Sequence, residues 1–165
     1  MFTKLFAKKE LKKEETLFAP LNGKAVDIEQ VPDPTFSQKL MGEGIAIEPV
    51  DGEVVSPVNG EIIQFFHTKH AIGIRSETGL EILIHIGLET VMLNGEGFTG
   101  YVQVGDKVKV GDRLITFDLE FIKEKAASSI TPIVITNMDT VQSIEKYPVA
   151  HAKAGTDPLM HIITK

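Results

Sequence analysis

From Leu17 onward this 165-residue chain is cut at short intervals by Gly, Pro, Asn and Asp, with 14 Gly and 8 Pro in all. Between the cuts lie runs rich in Val, Ile, Phe and Thr, suited to strands and too short for ordinary helices. Regular turn signals between short strands mark an all-β sandwich or barrel. The expected fold is therefore all-β, an antiparallel β-sandwich with one or two short helices. Candidate strands are 24–28, 44–48, 53–56, 61–67, 70–75, 80–86, 107–110, 113–117 and 133–137. A helix is expected over 119–128, where Asp118 suits an N-cap and Phe121, Ile122 and Lys125 fall at helical spacings. A shorter helical turn is expected over 33–40, with Pro34 at a first helical position.

A weak repeat runs through this pattern. Phe18-Ala19-Pro20-Leu21-Asn22-Gly23-Lys24 returns as Val55-Ser56-Pro57-Val58-Asn59-Gly60-Glu61, and Thr131-Pro132-Ile133-Val134 echoes it without the Asn-Gly. Asn-Gly between apolar segments favours positive φ and a turn. The repeat predicts a pseudo-symmetric sandwich.

Composition narrows the function. No apolar run approaches the roughly 20 residues of a membrane-spanning helix. The net charge of −6 argues against a general nucleic-acid binder, which needs a basic surface. With no Cys there is no disulfide framework, thiolate metal site or cysteine nucleophile. Residues 1–16 carry five Lys and three Glu ahead of an acidic body, which reads as a solvated, flexible basic tail before a single domain at 17–165. Phe2, Leu5 and Phe6 beside Lys4, Lys8 and Lys9 also have the pattern of a weak peripheral anchor on anionic membrane. The start lacks the apolar core and cleavage site of a secretory signal, so a cytoplasmic location is expected.

The chemistry points to two histidines. Residues 70–75 and 80–86, separated by Ser76-Glu77-Thr78-Gly79, read as a β-hairpin. If the turn is symmetric, paired residue numbers sum to 155 and His70 lies directly across from His85. A three-residue loop with a bulge would pair to 156 and set the histidines on opposite faces. The apolar alternation of Leu80, Ile82, Ile84 and Ile86, grouped with Ala71 and Gly73, favours the first register. His70, Ile72, Ile74, Leu83 and His85 would then share the other face, a polar centre in an apolar collar suited to docking another protein. Two neutral imidazoles side by side can bind metal, act as acid and base, or serve as nucleophile and stabiliser in phosphoryl transfer. Thr68 stands close enough to hydrogen-bond one of them.

The segment Glu81-Ile82-Leu83-Ile84-His85-Ile86-Gly87-Leu88-Glu89-Thr90-Val91 resembles the active-site segment of the glucose-type enzyme IIA proteins of the bacterial phosphotransferase system. Thr68-Lys69-His70-Ala71-Ile72 is similar to that family's second-histidine segment. Further likeness lies in Ala19-Pro20-Leu21-Asn22-Gly23, Val31-Pro32-Asp33, Gly42-Glu43-Gly44-Ile45, Leu93-Asn94-Gly95-Glu96-Gly97-Phe98, Val108-Lys109-Val110-Gly111-Asp112 and Thr131-Pro132-Ile133-Val134. The resemblance implies a phosphocarrier, a phosphotransferase component with a phosphohistidine intermediate. His85 would accept a phosphoryl group from the histidine-containing phosphocarrier protein and pass it to a cysteine of a sugar-permease IIB domain. His70 would hydrogen-bond the phosphoryl group and Thr68 would orient His70. By position, Asp33, Phe36, Leu40, Met41, Phe66, Ile72, Leu83 and Glu89 would form the partner-docking surface. No cofactor is implied. In some members the unphosphorylated protein binds regulatory targets, sometimes with zinc on both histidines and a partner carboxylate, so zinc at His70 and His85 would need a partner ligand.

Two other classes fit less of the chain. A zinc hydrolase would need His67 beside His70 and His85, but His67 and His70 are an odd number apart on one strand. A lipoyl- or biotinyl-type carrier needs an acceptor Lys at a hairpin tip, and Ser76-Glu77-Thr78-Gly79 has none.

Overall fold

The computed structural model describes residues 13–165. In chain order its strands are β1 (Glu14–Phe18), β2 (Gly23–Asp27), β3 (Glu43–Pro49), β4 (Glu53–Val55), β5 (Gly60–Phe65), β6 (Ala71–Ser76) and β7 (Glu81–His85). There follow β8 (Phe98–Gly100), β9 (Lys107–Val108), β10 (Arg113–Phe117), β11 (Thr131–Ile135), β12 (Val141–Lys146) and β13 (Pro158–Thr164). Two short helices interrupt them, α1 (Pro34–Ser37) and α2 (Leu119–Lys125).

The strands form an antiparallel β-sandwich. A seven-stranded sheet runs β2-β3-β11-β7-β6-β5-β9, and two three-stranded sheets run β1-β13-β12 and β4-β10-β8. The apolar strands of the large sheet split by the period of two. Ile45, Ile47, Ile72, Ile74, Ile82, Ile84, Ile133 and Ile135 enter a core shared with Leu17, Met160 and Ile162 of one small sheet and Val54, Leu114 and Ile115 of the other. Each such fully buried side chain contributes about 1.5–3 kcal/mol. The intervening residues Val26, Ala46, Ala71, Leu83 and Val134 form a second cluster on the opposite face, covered by Ile28, Val31, Phe36, Leu88 and Ile130. Burial on both faces is why these strands read as nearly continuous apolar runs.

The repeat copies meet across the molecule. Phe18 N donates to Pro57 O at 3.0 Å and Val55 N to Pro20 O at 2.9 Å. Gly23 and Gly60 open β2 and β5, so each Asn-Gly turns the chain into the large sheet.

Several expectations are corrected. The tail does not extend to residue 16, because β1 begins at Glu14 and pairs with β13; the Phe2, Leu5 and Phe6 stripe lies outside the described residues. Helix α2 stops at Lys125 instead of 128, because Ala126 is extended and Ala127 N bonds Leu88 O, drawing Ser128 into a bridge with Leu88. Helix α1 ends by Ser37, and Lys39 at φ 60 prevents its continuation to 40. Strands β1, β8, β12 and β13 have no counterpart among the predicted runs. In β12 the exposed Gln142, Ser143 and Glu145 hide the strand pattern.

The hairpin register also differs. Ala71 pairs with His85, Ile72 with Ile84, Gly73 with Leu83 and Arg75 with Glu81, so the numbers sum to 156 and not 155. The loop is three residues, Glu77–Gly79, closed by Ser76 N to Leu80 O, with Gly79 at φ 92. That is the three-residue hairpin with a left-handed Gly. The shift exchanges faces: Ile72 and Ile74 join Ile82 and Ile84 in the core, while Ala71 sits with Leu83. Ile72 is wholly buried between the sheets and is not a docking residue.

Candidate functional site

His85 is the last residue of β7, on the face carrying Ala71 and Leu83. Past it the chain turns at Gly87, whose φ is 72 and whose carbonyl lies 2.9 Å from His85 Nδ1. A carbonyl can only accept, so His85 carries its proton on Nδ1 and the neutral ring keeps its lone pair on Nε2. The Phe36 ring of α1 packs against this imidazole at 5.2 Å between centroids.

His70 reaches the same place by a different route. Lys69 adopts φ 62 and bonds Phe66 O, so His70 stands just outside β6 and escapes the strand alternation. Its carbonyl still accepts from Ile86 N at 2.7 Å. The His70 and His85 rings meet edge to face, 5.0 Å between centroids at 83°. The pair comes together although its Cα atoms are not cross-strand partners. Thr68 Oγ1 lies 2.7 Å from His70 Nδ1, both residues being buried, and Phe66 packs on the His70 ring at 5.3 Å.

Both rings are held neutral. Burial, then the His85 and His67 imidazoles, push the His70 pKa down to about 4. Burial also lowers that of His85, opposed by the Gly87 hydrogen bond and the Asp33 carboxylate. Asp33 caps α1 by accepting from Thr35 N at 3.0 Å and is half-buried. Among the described residues no cluster of three His, Cys, Asp or Glu could hold a metal ion. His67 is exposed and makes no third ligand.

The expected docking residues fall into different environments. Leu40 is 71% exposed and Met41 37%, on the turn between α1 and β3. Glu89 is exposed, Phe66 is half-buried, and Phe36 and Leu83 are buried beneath the histidines. Sequence reasoning passed over four contributors. Thr90 is fully buried and donates to Ile86 O at 2.6 Å, fixing the turn after His85. The Gly87 carbonyl sets the His85 tautomer. Val91 and Met92 add exposed apolar surface to the 3-10 turn that follows Glu89. The signal available for the turn was Gly87 itself, a glycine directly after a strand.

Comparison with known proteins gives one consistent answer. The family model described as phosphoenolpyruvate-dependent sugar phosphotransferase system, EIIA 1, matches residues 15–141. A protein of Halalkalibacterium halodurans named PTS system glucose-specific EIIA component is 57% identical over 169 residues, covering 98% of each chain. A Bacillus cereus protein of the same name is 55% identical over 165 residues, covering 100% of both. The solved glucose permease IIA from Mycoplasma capricolum aligns with a TM-score of 0.85 at 35% identity, over 92% of this chain and 97% of that one.

Proposed function

The chain belongs to the EIIA 1 family of the phosphoenolpyruvate-dependent sugar phosphotransferase system, and from that premise we propose that His85 is the residue that carries the phosphoryl group. The observation that supports this most is the hydrogen bond from His85 Nδ1 to Gly87 O, which leaves the Nε2 lone pair free to attack. In the forward step Nε2 attacks the phosphorus of a phosphohistidine on the histidine-containing phosphocarrier protein. The donor N–P bond breaks and the His85 N–P bond forms, while the proton stays on Nδ1, hydrogen-bonded to the Gly87 carbonyl. A cysteine thiolate of a sugar-permease IIB domain then attacks the same phosphorus and His85 leaves as neutral imidazole.

Such a transfer passes through a loose metaphosphate-like state and depends on positioning and charge stabilisation. His70 supplies the stabilisation. If Thr68 donates its hydroxyl hydrogen to Nδ1, the neutral ring presents Nε2–H to the phosphoryl oxygens. The exposed Leu40 and Met41, with Phe66, Phe36 and Leu83 beneath, form an apolar surround that excludes water, and Asp33 and Glu89 meet basic residues of the partners. No resident cofactor is called for; zinc would need a third ligand from a partner protein. The work is cytoplasmic, and among the described residues no helix is long and apolar enough to cross a membrane. The names of the relatives make glucose the first sugar to test.

The test is intact mass after incubation with phosphoenolpyruvate, enzyme I and the phosphocarrier protein. One acid-labile phosphate on the wild type and none on His85→Ala is expected. Phosphate retained on His85→Ala, or absent from a folded wild type given an active donor, would overturn the reading.

A further inference from the structure

A groove of about 770 Å³ opens between β2, the α2–β11 connection and the β12–β13 connection. That volume is in the range of small-molecule sites. Lys24, Lys123 and Lys153 line it together with His151, and the one carboxylate among its lining residues is Glu48. This is an unusual concentration of cations on a chain of net charge −6. Five cations elsewhere are neutralised: Lys39, Arg75, Lys107, Arg113 and Lys146 each face a carboxylate. In the groove, Lys24 and Lys153 have no carboxylate partner among the described residues, although Glu48 is the cross-strand neighbour of Lys24. Lys123 has only a 4.0 Å contact with Glu120. Ser128, Ser129 and Gln30 add hydrogen-bonding groups to the same walls. Several cations lining one groove, with hydroxyl and amide donors beside them, suit a ligand bearing several negative charges.

The groove wall also reaches the histidine turn. Ser128 lines it, and Ser128 O accepts from Leu88 N at 2.9 Å. The same oxygen lies 2.8 Å from where a side chain on Gly87 would begin, and Gly87 O holds His85 Nδ1. Pro32 and Ser128 are shared with a smaller cavity lined by Asp33, Leu88 and Glu89. We propose that this groove binds a small polyanion of the phosphorylated-metabolite class, and that occupancy is transmitted to His85 through Ser128. The binding stands independently of the phosphocarrier reading; a regulatory effect on transfer rests on it.

The experiment is NMR titration of the full chain at low ionic strength with pyrophosphate and with a hexose 6-phosphate, following backbone amides and the His85 ring. Saturable shifts at Lys24, Ser129 and Lys153 and at the His85 ring are expected. The double variant Lys24→Glu/Lys153→Glu should weaken binding at least ~10-fold, while Lys109→Glu, exposed and outside the groove, leaves it unchanged. Tighter binding of the hexose phosphate would show that the sugar is read; equal binding would assign recognition to the phosphate groups. Absence of saturable shifts up to tens of millimolar, equal loss with Lys109→Glu, or a response only to an acidic peptide would overturn the site. Groove shifts with a silent His85 ring would overturn the coupling. Because neither readout requires phosphoryl transfer, failure here is distinguishable from failure of the phosphocarrier reading.

Discussion

Thr68 and His70 are two residues apart and joined side chain to side chain, Oγ1 to Nδ1 at 2.7 Å, with both residues buried. If the hydroxyl donates, His70 is fixed as the Nε2–H tautomer. Replacing Thr68 by Val keeps the shape and removes the partner of a buried ring nitrogen. A cost of about 1–3 kcal/mol is expected in urea unfolding. Nitrogen NMR should show mixed His70 tautomers, and rapid-quench assays should show phosphate still accepted but passed on about tenfold more slowly. Thr68→Ser should restore both. An unaltered tautomer in the Val variant would remove Thr68 from the mechanism.

The docking surface separates into residues that meet a partner and residues that hold the site up. Leu40 is 71% exposed, so Leu40→Asp should leave unfolding unchanged within about 0.5 kcal/mol. It should raise the KM for the donor protein several-fold, since the loss falls on association. Phe36 is buried against His85, and Phe36→Ala should instead cost about 3–5 kcal/mol. Steady-state transfer kinetics beside denaturant titration test the division. Equal stability losses in the two variants would erase it.

How much of this was legible in the sequence differs by level. The sandwich was, because turn punctuation and apolar runs both follow from strands buried on two faces. The hairpin register was not: it turned on whether the Ser76–Gly79 stretch closes with three loop residues or four, and both suit a Gly at the end. The adjacency of His70 and His85 was expected, but for a different reason. It arises from the left-handed Lys69 ahead of β6, not from direct cross-strand pairing. Ile72 was misplaced with the register, since a one-residue slip exchanges the faces of a strand. Asp33 was noted as a docking position, but its electrostatic effect on His85 needs the fold, being carried between residues 52 positions apart.

Gly87 is the residue where backbone conformation and chemistry meet. At φ 72 a side chain is strained, and its Cβ would come 2.7 Å from Thr90 Cγ2 and 2.8 Å from Ser128 O. Gly87→Ala should therefore destabilise the fold by about 1–3 kcal/mol. It should also displace the carbonyl that holds the His85 proton, so phosphate acceptance should slow even at temperatures where the variant is fully folded. Thr90→Ser, which keeps the bond to Ile86 O while removing the methyl, should partly rescue Gly87→Ala. Failure of that rescue would shift the blame to the Ser128 contact or to φ itself.

The neutral histidines give stability a pH dependence whose sign is fixed. His70 binds a proton in the folded state only near pH 4, and in the unfolded chain near its ordinary 6.5. Between those values the unfolded state holds more protons, so stability is complete above about pH 6.5 and falls as pH drops toward 4. The full span corresponds to about 3 kcal/mol from His70, and His85 acts in the same direction. Carboxylates add a separate loss at lower pH. In Glu43 burial opposes ionisation, but hydrogen bonds from Lys146 and Lys39 outweigh it and hold the pKa below its ordinary value. The two contributions separate in His70→Gln, which keeps a side-chain donor and cannot titrate. Urea unfolding at pH 7.5, 6.0 and 4.5 should give a steep decline for the wild type and a much flatter one for this variant. Equal slopes would mean that His70 is not the buried neutral base, and its role beside His85 would have to be assigned to another donor.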